Sequence, residues 1–175
     1  MPPKFSIRRA TASDAEGILE CLHLAFAPYE QLYPPAGFRD TILTPETIHH
    51  RLKAMTVLVA VSESGQIVGT IGGNVVPASS KQPVASSEKE GHIRGMAVLP
   101  QWQGKQHGTG VAEELLRAAE GELRQLGCTR VTLDTTEPLQ RAIRFYERNG
   151  YRASGKVGDF FGMPLLEYVK QLGPE

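Results

Sequence analysis

One stretch, His92 to Leu116 (HIRGMAVLPQWQGKQHGTGVAEELL), restricts the fold more than any other part of the chain. Ile93, Met96 and Val98 form a short apolar run closed by Pro100, the pattern of a strand. Val111, Ala112, Leu115, Leu116, Ala119, Leu123 and Leu126 then recur at helical spacing. Gly104, Gly108 and Gly110 lie between the two patterns. Glycine has no Cβ, so backbone N–H groups there can approach a ligand closely. A helix N-terminus adds unpaired N–H groups and partial positive charge. Strand, glycine turn and helix start together make an anion site, most often for phosphate.

Two familiar phosphate motifs fail on this stretch. A P-loop needs Lys and then Ser or Thr after its last glycine, but Gly110 is followed by Val111 and Ala112. A dinucleotide fingerprint needs a third glycine three residues after Gly110, where Glu113 stands. A nucleotide-binding domain is disfavoured accordingly. Taken alone, the turn is equally well read as a plain glycine-rich loop.

The remaining chain reads as alternating strands and helices. Phe5 to Arg9 alternates as a strand, and Ser13 with Glu16 has the spacing of a capping box. Ala15, Ile18, Leu19, Leu22, Ala25 and Phe26 form a helical stripe that Pro28 ends. Tyr29 to Asp40 is aromatic, proline-rich and without a period, and is expected to be a loop lining a pocket. Thr44-Pro45 starts a helix with Ile48 and Leu52 inward; His49 and His50 are adjacent and point to different sides. Val57–Val61 and Ile67–Ile71 form a hairpin, thin at Gly69, Gly72 and Gly73, as if something lies against it. Pro77 to Glu90 is Ser-rich, polar and loop-like. Arg130–Asp134 reads as a buried strand, and Pro138 opens a helix that Asn149-Gly150 stops. Tyr151–Lys156 and Leu165–Val169 close the chain as strands.

At 175 residues with no repeat, the chain is expected to be a single domain, 1–175. Lys plus Arg and Asp plus Glu number 19 each, which argues against nucleic-acid or anionic-membrane partners. Cys21 and Cys128 are far apart and lack a metal spacing, so no metal is expected. No signal peptide or membrane span is evident, and a cytoplasmic protein is expected.

The central stretch resembles motif A of the GNAT N-acetyltransferase superfamily, Arg/Gln-x-x-Gly-x-Gly/Ala. His107-Gly108-Thr109-Gly110-Val111-Ala112 fits it, with His107 where Arg or Gln is usual. A second register, starting at Gln103-Gly104-Lys105, has Gln106 where glycine is expected. IRRATASDAEGI is similar to the family's opening, and RVTLDTTEPLQRAIRFYERNGYR to its second signature. Leu139 stands where many members carry Asn.

The resemblance implies an α/β fold: one mixed sheet of about six to seven strands, flanked by about four helices and splayed at the cofactor site. It implies acetyl-CoA as co-substrate and direct attack by an amine of a small molecule or peptide, with a homodimer left open. Gln103, Gly104, His107, Gly108, Thr109, Gly110, Val111 and Ala112 would cradle the pyrophosphate, and Met96, Ala97 and Val98 would present backbone groups to the acyl-pantetheine. Tyr146 would protonate the departing sulfur. An alkylammonium, with a pKa of about 10, must lose a proton before attack, and His92 or Glu90 is the candidate base. The alternative is a noncatalytic acyl-CoA-binding or regulatory module of the same fold.

Overall fold

Seven strands carry the fold in the computed structural model, which describes residues 4–76, 89–104 and 110–173. They are β1 (Phe5–Arg9), β2 (Thr56–Ser62), β3 (Ile67–Val75), β4 (Lys89–Val98), β5 (Cys128–Thr136), β6 (Arg152–Phe160) and β7 (Met163–Gln171). Their order across one open sheet is β1-β2-β3-β4-β5-β7-β6. Neighbours are antiparallel except β4 and β5, which run parallel. A parallel pair needs a crossover, and α4 (Val111–Gln125) supplies it.

The apolar stripe of α4 explains the thin hairpin. Val111, Leu115, Leu116, Ala119 and Leu123 are all buried. A Cβ at Gly69 would lie 2.7 Å from Leu115 Cδ1, and one at Gly91 would lie 2.8 Å from Leu123 Cδ1. Glycines on β3 and β4 thus let α4 sit close to the sheet. α1 (Ala15–Phe26) packs on β3 and β4 through elements that bury Ile18, Cys21 and Leu22.

Five α-helices are described rather than about four. The extra one is α2 (Pro35–Ile42), inside the stretch expected to be an irregular loop. Pro35 takes its first position, where a missing N–H costs nothing, and Gly37 and Phe38 are buried. Ahead of it a 3-10 helix spans Ala27–Leu32. α3 (Pro45–Ala54) and α5 (Gln140–Arg148) start near the expected prolines. The cap before α1 also differs from expectation. Asp14 Oδ2 accepts from the Thr11 backbone N–H at 2.8 Å, so the cap lies at Thr11 and Asp14 rather than at Ser13 and Glu16. No helix among the described residues is long and apolar enough to cross a membrane.

Two irregularities in β4 shape the site. Against β3, Ala97 faces Thr70 and Arg94 faces Gly72, so β4 carries one residue more than its partner there. Gly95 sits in this bulge with φ +66°, a backbone conformation that favours glycine. Against β5, the shared rungs end at Ile93↔Leu133, while β5 stays paired with β7 as far as Thr136↔Leu165. The strands part from that point.

Candidate active site

The parting of β4 from β5 opens a cleft of about 570 Å³, a volume suited to a small ligand. One wall is β4 from His92 to Val98, and the other is the end of β5 from Leu133 to Thr136. The start of α4 and one face of α5 close one end. Tyr29, Tyr33, Asp40 and Arg51 also line the cleft.

At the α4 end the backbone is arranged for an anion. Gly110 is the N-cap of α4, with φ +61°, and a Cβ there would meet no atom within 4 Å. The first N–H groups of a helix have no partner within the helix, and they carry its positive end. Gly110, Val111 and Ala112 all line the cleft, with Gln103 and Gly104 beside them. The Gln103 side-chain amide donates to the Val98 carbonyl at 2.7 Å, which ties the turn to the end of β4. A Cβ at Gly104 would lie 2.8 Å from Nη2 of Arg141, another residue of the cleft wall. His107, Gly108 and Thr109 lie outside the described residues. Leu139 lines the cleft as the N-cap of α5 and offers no polar side-chain group.

Met96, Ala97 and Val98 form the strand edge of the cleft. Ala97 and Val98 are paired to β3 on one side and have no β5 rung on the other. That open edge presents backbone donors and acceptors to an extended ligand, in the manner of an added strand.

The three sequence-predicted catalytic residues are placed differently. His92 lines the cleft, its Nδ1 2.9 Å from the Thr132 hydroxyl and its Nε2 3.7 Å from Asp134 Oδ2. Burial lowers its pKa below the ordinary histidine value, Arg94 adds to that, and the carboxylates of Asp134, Glu90 and Glu167 oppose it. Tyr146 also lines the cleft, and its hydroxyl donates to Met96 Sδ at 3.5 Å. The ring packs edge-on against Phe145 and Tyr151. Burial pushes its phenol well above the usual range, so it stays protonated. Glu90 does not reach the cleft. It pairs instead with Arg130 Nε at 3.2 Å, at the far end of the β4–β5 pair.

The structure adds Asp134 and Arg51, which the sequence reading did not single out, and brings in Tyr33 and Asp40 from the Tyr29–Asp40 stretch expected to line a pocket. Asp134 follows Thr132 on the same face of β5 and stands against His92. Arg51 reaches the cleft from α3, and Asp40 from α2, where it pairs with Arg94 at 3.6 Å. Tyr33 is buried and shares a hydrogen bond with Thr136. Among the described residues no group of three or more His, Cys, Asp or Glu is placed to hold a metal ion.

Comparison with known proteins gives the same architecture. The model of the acetyltransferase (GNAT) family matches residues 18–151. An aminoalkylphosphonate N-acetyltransferase of Salmonella typhimurium is 29% identical over 154 residues, covering 87% of this chain and 88% of that protein. A PaiA N-acetyltransferase from Thermoplasma acidophilum, solved with coenzyme A, superimposes with a TM-score of 0.70 at 18% identity, covering 96% of this chain and 99% of its own. A ribosomal-protein-alanine N-acetyltransferase from Brucella melitensis gives 0.69 at 22% identity, with coverages of 95% and 99%. The parted strands, the glycine-capped helix and the family match lead to one conclusion: the chain belongs to the GNAT family and is an acetyl-CoA-dependent N-acetyltransferase.

Proposed function

We propose that this acetyltransferase acts on the amine of a small molecule by direct attack, with His92 as general base and Tyr146 as proton donor. The observation that carries the reading is the position of His92 one rung before β4 and β5 part, with Tyr146 over Met96 beyond the parting. The Salmonella typhimurium relative is named for a small amine acceptor, which supports the acceptor class. The noncatalytic alternative is not favoured, because the curated relative is itself an acetyltransferase.

The roles follow from the chemistry of the side chains. His92 is held neutral by burial and takes a proton from the ammonium, freeing the lone pair that attacks. Asp134 then stabilises the imidazolium across 3.7 Å. The new N–C bond forms as the C–S bond breaks. Open backbone N–H groups on Met96–Val98 take up the negative charge that develops on the carbonyl oxygen. Tyr146 gives its proton to the sulfur, a far better acceptor as thiolate than the Met96 thioether that it now meets, and the phenolate is reprotonated by the second proton that the nitrogen sheds in becoming the amide. A cytoplasmic enzyme accords with the free, buried Cys21 and Cys128.

The test is a panel of small amines and short peptides incubated with acetyl-CoA, following free-thiol release and product mass. Acetylated small amines are expected. Acetylation confined to peptide N-termini would move the acceptor to another class, and coenzyme binding with no product anywhere in the panel would end the catalytic reading.

A further inference from the structure

We propose that Arg51 binds an oxyanion on the acceptor, so that the substrate is an amine that also carries a carboxylate, phosphate or phosphonate group. The proposal rests on the acetyl-transfer reading of the same cleft and goes on to the substrate's second group.

Arg51 lies in the last turn of α3, and its guanidinium reaches into the bulge of β4. A Cβ at Gly95 would fall 2.3 Å from Arg51 Nη1, so the missing side chain is what admits the guanidinium. Met96, the first residue of the open edge, follows directly. The cation therefore stands beside the place where the acetyl group would be held. Arg51 Nη1 is wholly buried and has no hydrogen-bond partner. Buried nitrogens of Arg124 and Arg130 also lack a hydrogen bond, but the one on Arg130 is ion-paired with Glu90, and of the three arginines only Arg51 lines the cleft.

The neighbouring charges match it only in part. Asp40 pairs with Arg94 at 3.6 Å, and no ion pair joins Asp40 to Arg51 among the described residues. Two guanidinium groups thus share one carboxylate in the cleft wall. Burial, with Arg94 adding to it and the Asp40 carboxylate opposing it, lowers the Arg51 pKa to about 10, which still leaves it charged at neutral pH. A buried cation whose one nearby carboxylate is shared with a second guanidinium is costly, and Arg51 lines the cleft. A guanidinium presents paired donors that fit the oxygens of carboxylate and phosphoryl groups alike. An acceptor anion completes the cluster and fixes the amine relative to the thioester.

The experiment compares three amines of similar length: propylamine, 3-aminopropanoate and 2-aminoethyl phosphate. The wild-type enzyme should use at least one anionic amine with kcat/KM about 10- to 100-fold above propylamine, the worth of a charge-assisted hydrogen bond. The two anionic amines separate a planar carboxylate from a tetrahedral phosphoryl group. Arg51→Met should bring the ratio of anionic to neutral amine close to one, mainly through KM. Arg51→Lys keeps the charge without the fork and should retain a reduced preference, which guards against a folding defect in the methionine variant. Equal use of propylamine by the wild type, or an equal loss on all three amines in Arg51→Met, overturns the proposal. Binding of inorganic phosphate, measured by calorimetry on wild type and Arg51→Met, is independent of turnover. Phosphate binding that needs Arg51, with no amine acetylated, supports the anion site while the acetyl-transfer reading fails. Acetylation without any dependence on Arg51 has the opposite meaning.

Discussion

His92 Nδ1 lies 2.9 Å from the Thr132 hydroxyl, on the rung next to the last that β4 and β5 share. The Thr132 hydroxyl also points at the Gly91 carbonyl, 3.5 Å away. If the hydroxyl donates there, it accepts from Nδ1–H, and the ring's lone pair falls on Nε2. That nitrogen has Asp134 3.7 Å away. The ring is thus oriented by one neighbour and stabilised when protonated by the other. Thr132→Val should lower kcat about tenfold through loss of that orientation, with acetyl-CoA affinity kept. Steady-state rates with calorimetry on the same preparation test this, and an unchanged kcat would separate Thr132 from the mechanism.

Asp134 gives the pH dependence a sign. Burial holds the His92 pKa below its ordinary value, while the Asp134 charge opposes that shift. Removing the charge lets the pKa fall further. In Asp134→Asn the acidic limb of kcat/KM should therefore move to lower pH, while the plateau drops about tenfold as the imidazolium loses support. A limb that moves to higher pH, or not at all, would show that the limb belongs to another group.

Tyr146→Phe removes one hydroxyl whose described partner is the weak acceptor Met96 Sδ. The ring contacts with Phe145 and Tyr151 survive. Thermal stability and acetyl-CoA binding should change little. Turnover should fall by about 10²–10⁴-fold, the usual worth of a positioned proton donor. Full turnover in the variant would exclude Tyr146 as the donor, and loss of coenzyme binding would make it a structural residue.

Gly110 tests the anion cradle. Its left-handed φ of +61° disfavours any side chain, so Gly110→Ala should cost about 1–2 kcal/mol although the space is open. Gly110→Glu adds a carboxylate at the helix N-terminus. Acetyl-CoA should raise the melting temperature of the wild type by mass action, and of Gly110→Ala in part. In Gly110→Glu the rise should vanish, and its persistence would place the pyrophosphate elsewhere.

Much of this arrangement is legible in local pattern. The strand at Ile93–Val98, the helix from Val111 and the helix after Pro138 each announce themselves by apolar period and punctuation. What the pattern does not carry is the meeting of distant elements. Asp134 reads as the polar end of an apolar strand, and only the β4–β5 rung places it against His92. Its signal is faint but present, since Arg130, Thr132 and Asp134 share the face opposite Val131 and Leu133. Arg51 falls three residues after Ile48 and beside Leu52, on the inward side of α3, where a charge needs a reason. Glu90 is misleading for a related cause: its place at a strand start says nothing of which end of the strand faces the cleft. α2 escapes notice because eight residues with a leading proline are too few to show a period.

The cap before α1 has its own pH signature. Arg8 donates to both oxygens of Asp14, at 2.7 and 2.9 Å, and these bonds lower the Asp14 pKa to about 2. The unfolded carboxylate, at its ordinary value of 3.8, takes up a proton first as the pH falls. The stabilisation is thus complete above that value and is lost as the pH drops towards 2. Arg8 is half exposed, so solvent screening limits the gain, and Asp14→Asn should cost about 1 kcal/mol near neutrality. Melting temperatures of the two proteins should converge in acid. A gap that stays constant down to the acid limit would assign the effect to packing instead of charge.

Glu120 poses the sharpest stability test, because it is a buried charge far from the reacting atoms. It lies on α4, is only 5% exposed, and accepts from Lys170 on β7 at 3.0 and 3.1 Å. The Tyr151 hydroxyl donates to the same carboxylate at 2.8 Å. These bonds fasten α4 to the β7–β6 side of the parted sheet, and α4 is the helix whose N-terminus forms the anion cradle. Glu120→Leu would leave Lys170 and the Tyr151 hydroxyl without their acceptor and should cost about 3–5 kcal/mol. Replacing the ion pair together, as Glu120→Leu with Lys170→Met, should recover the part of that loss due to the unpaired lysine, while the Tyr151 hydroxyl stays without its acceptor. Denaturant unfolding of the two single variants and the double variant measures the coupling. The double variant should also keep its rise in melting temperature with acetyl-CoA if the network only anchors the helix. If it folds well yet loses that rise, the Glu120–Lys170 pair sets the position of the cradle and is more than an anchor.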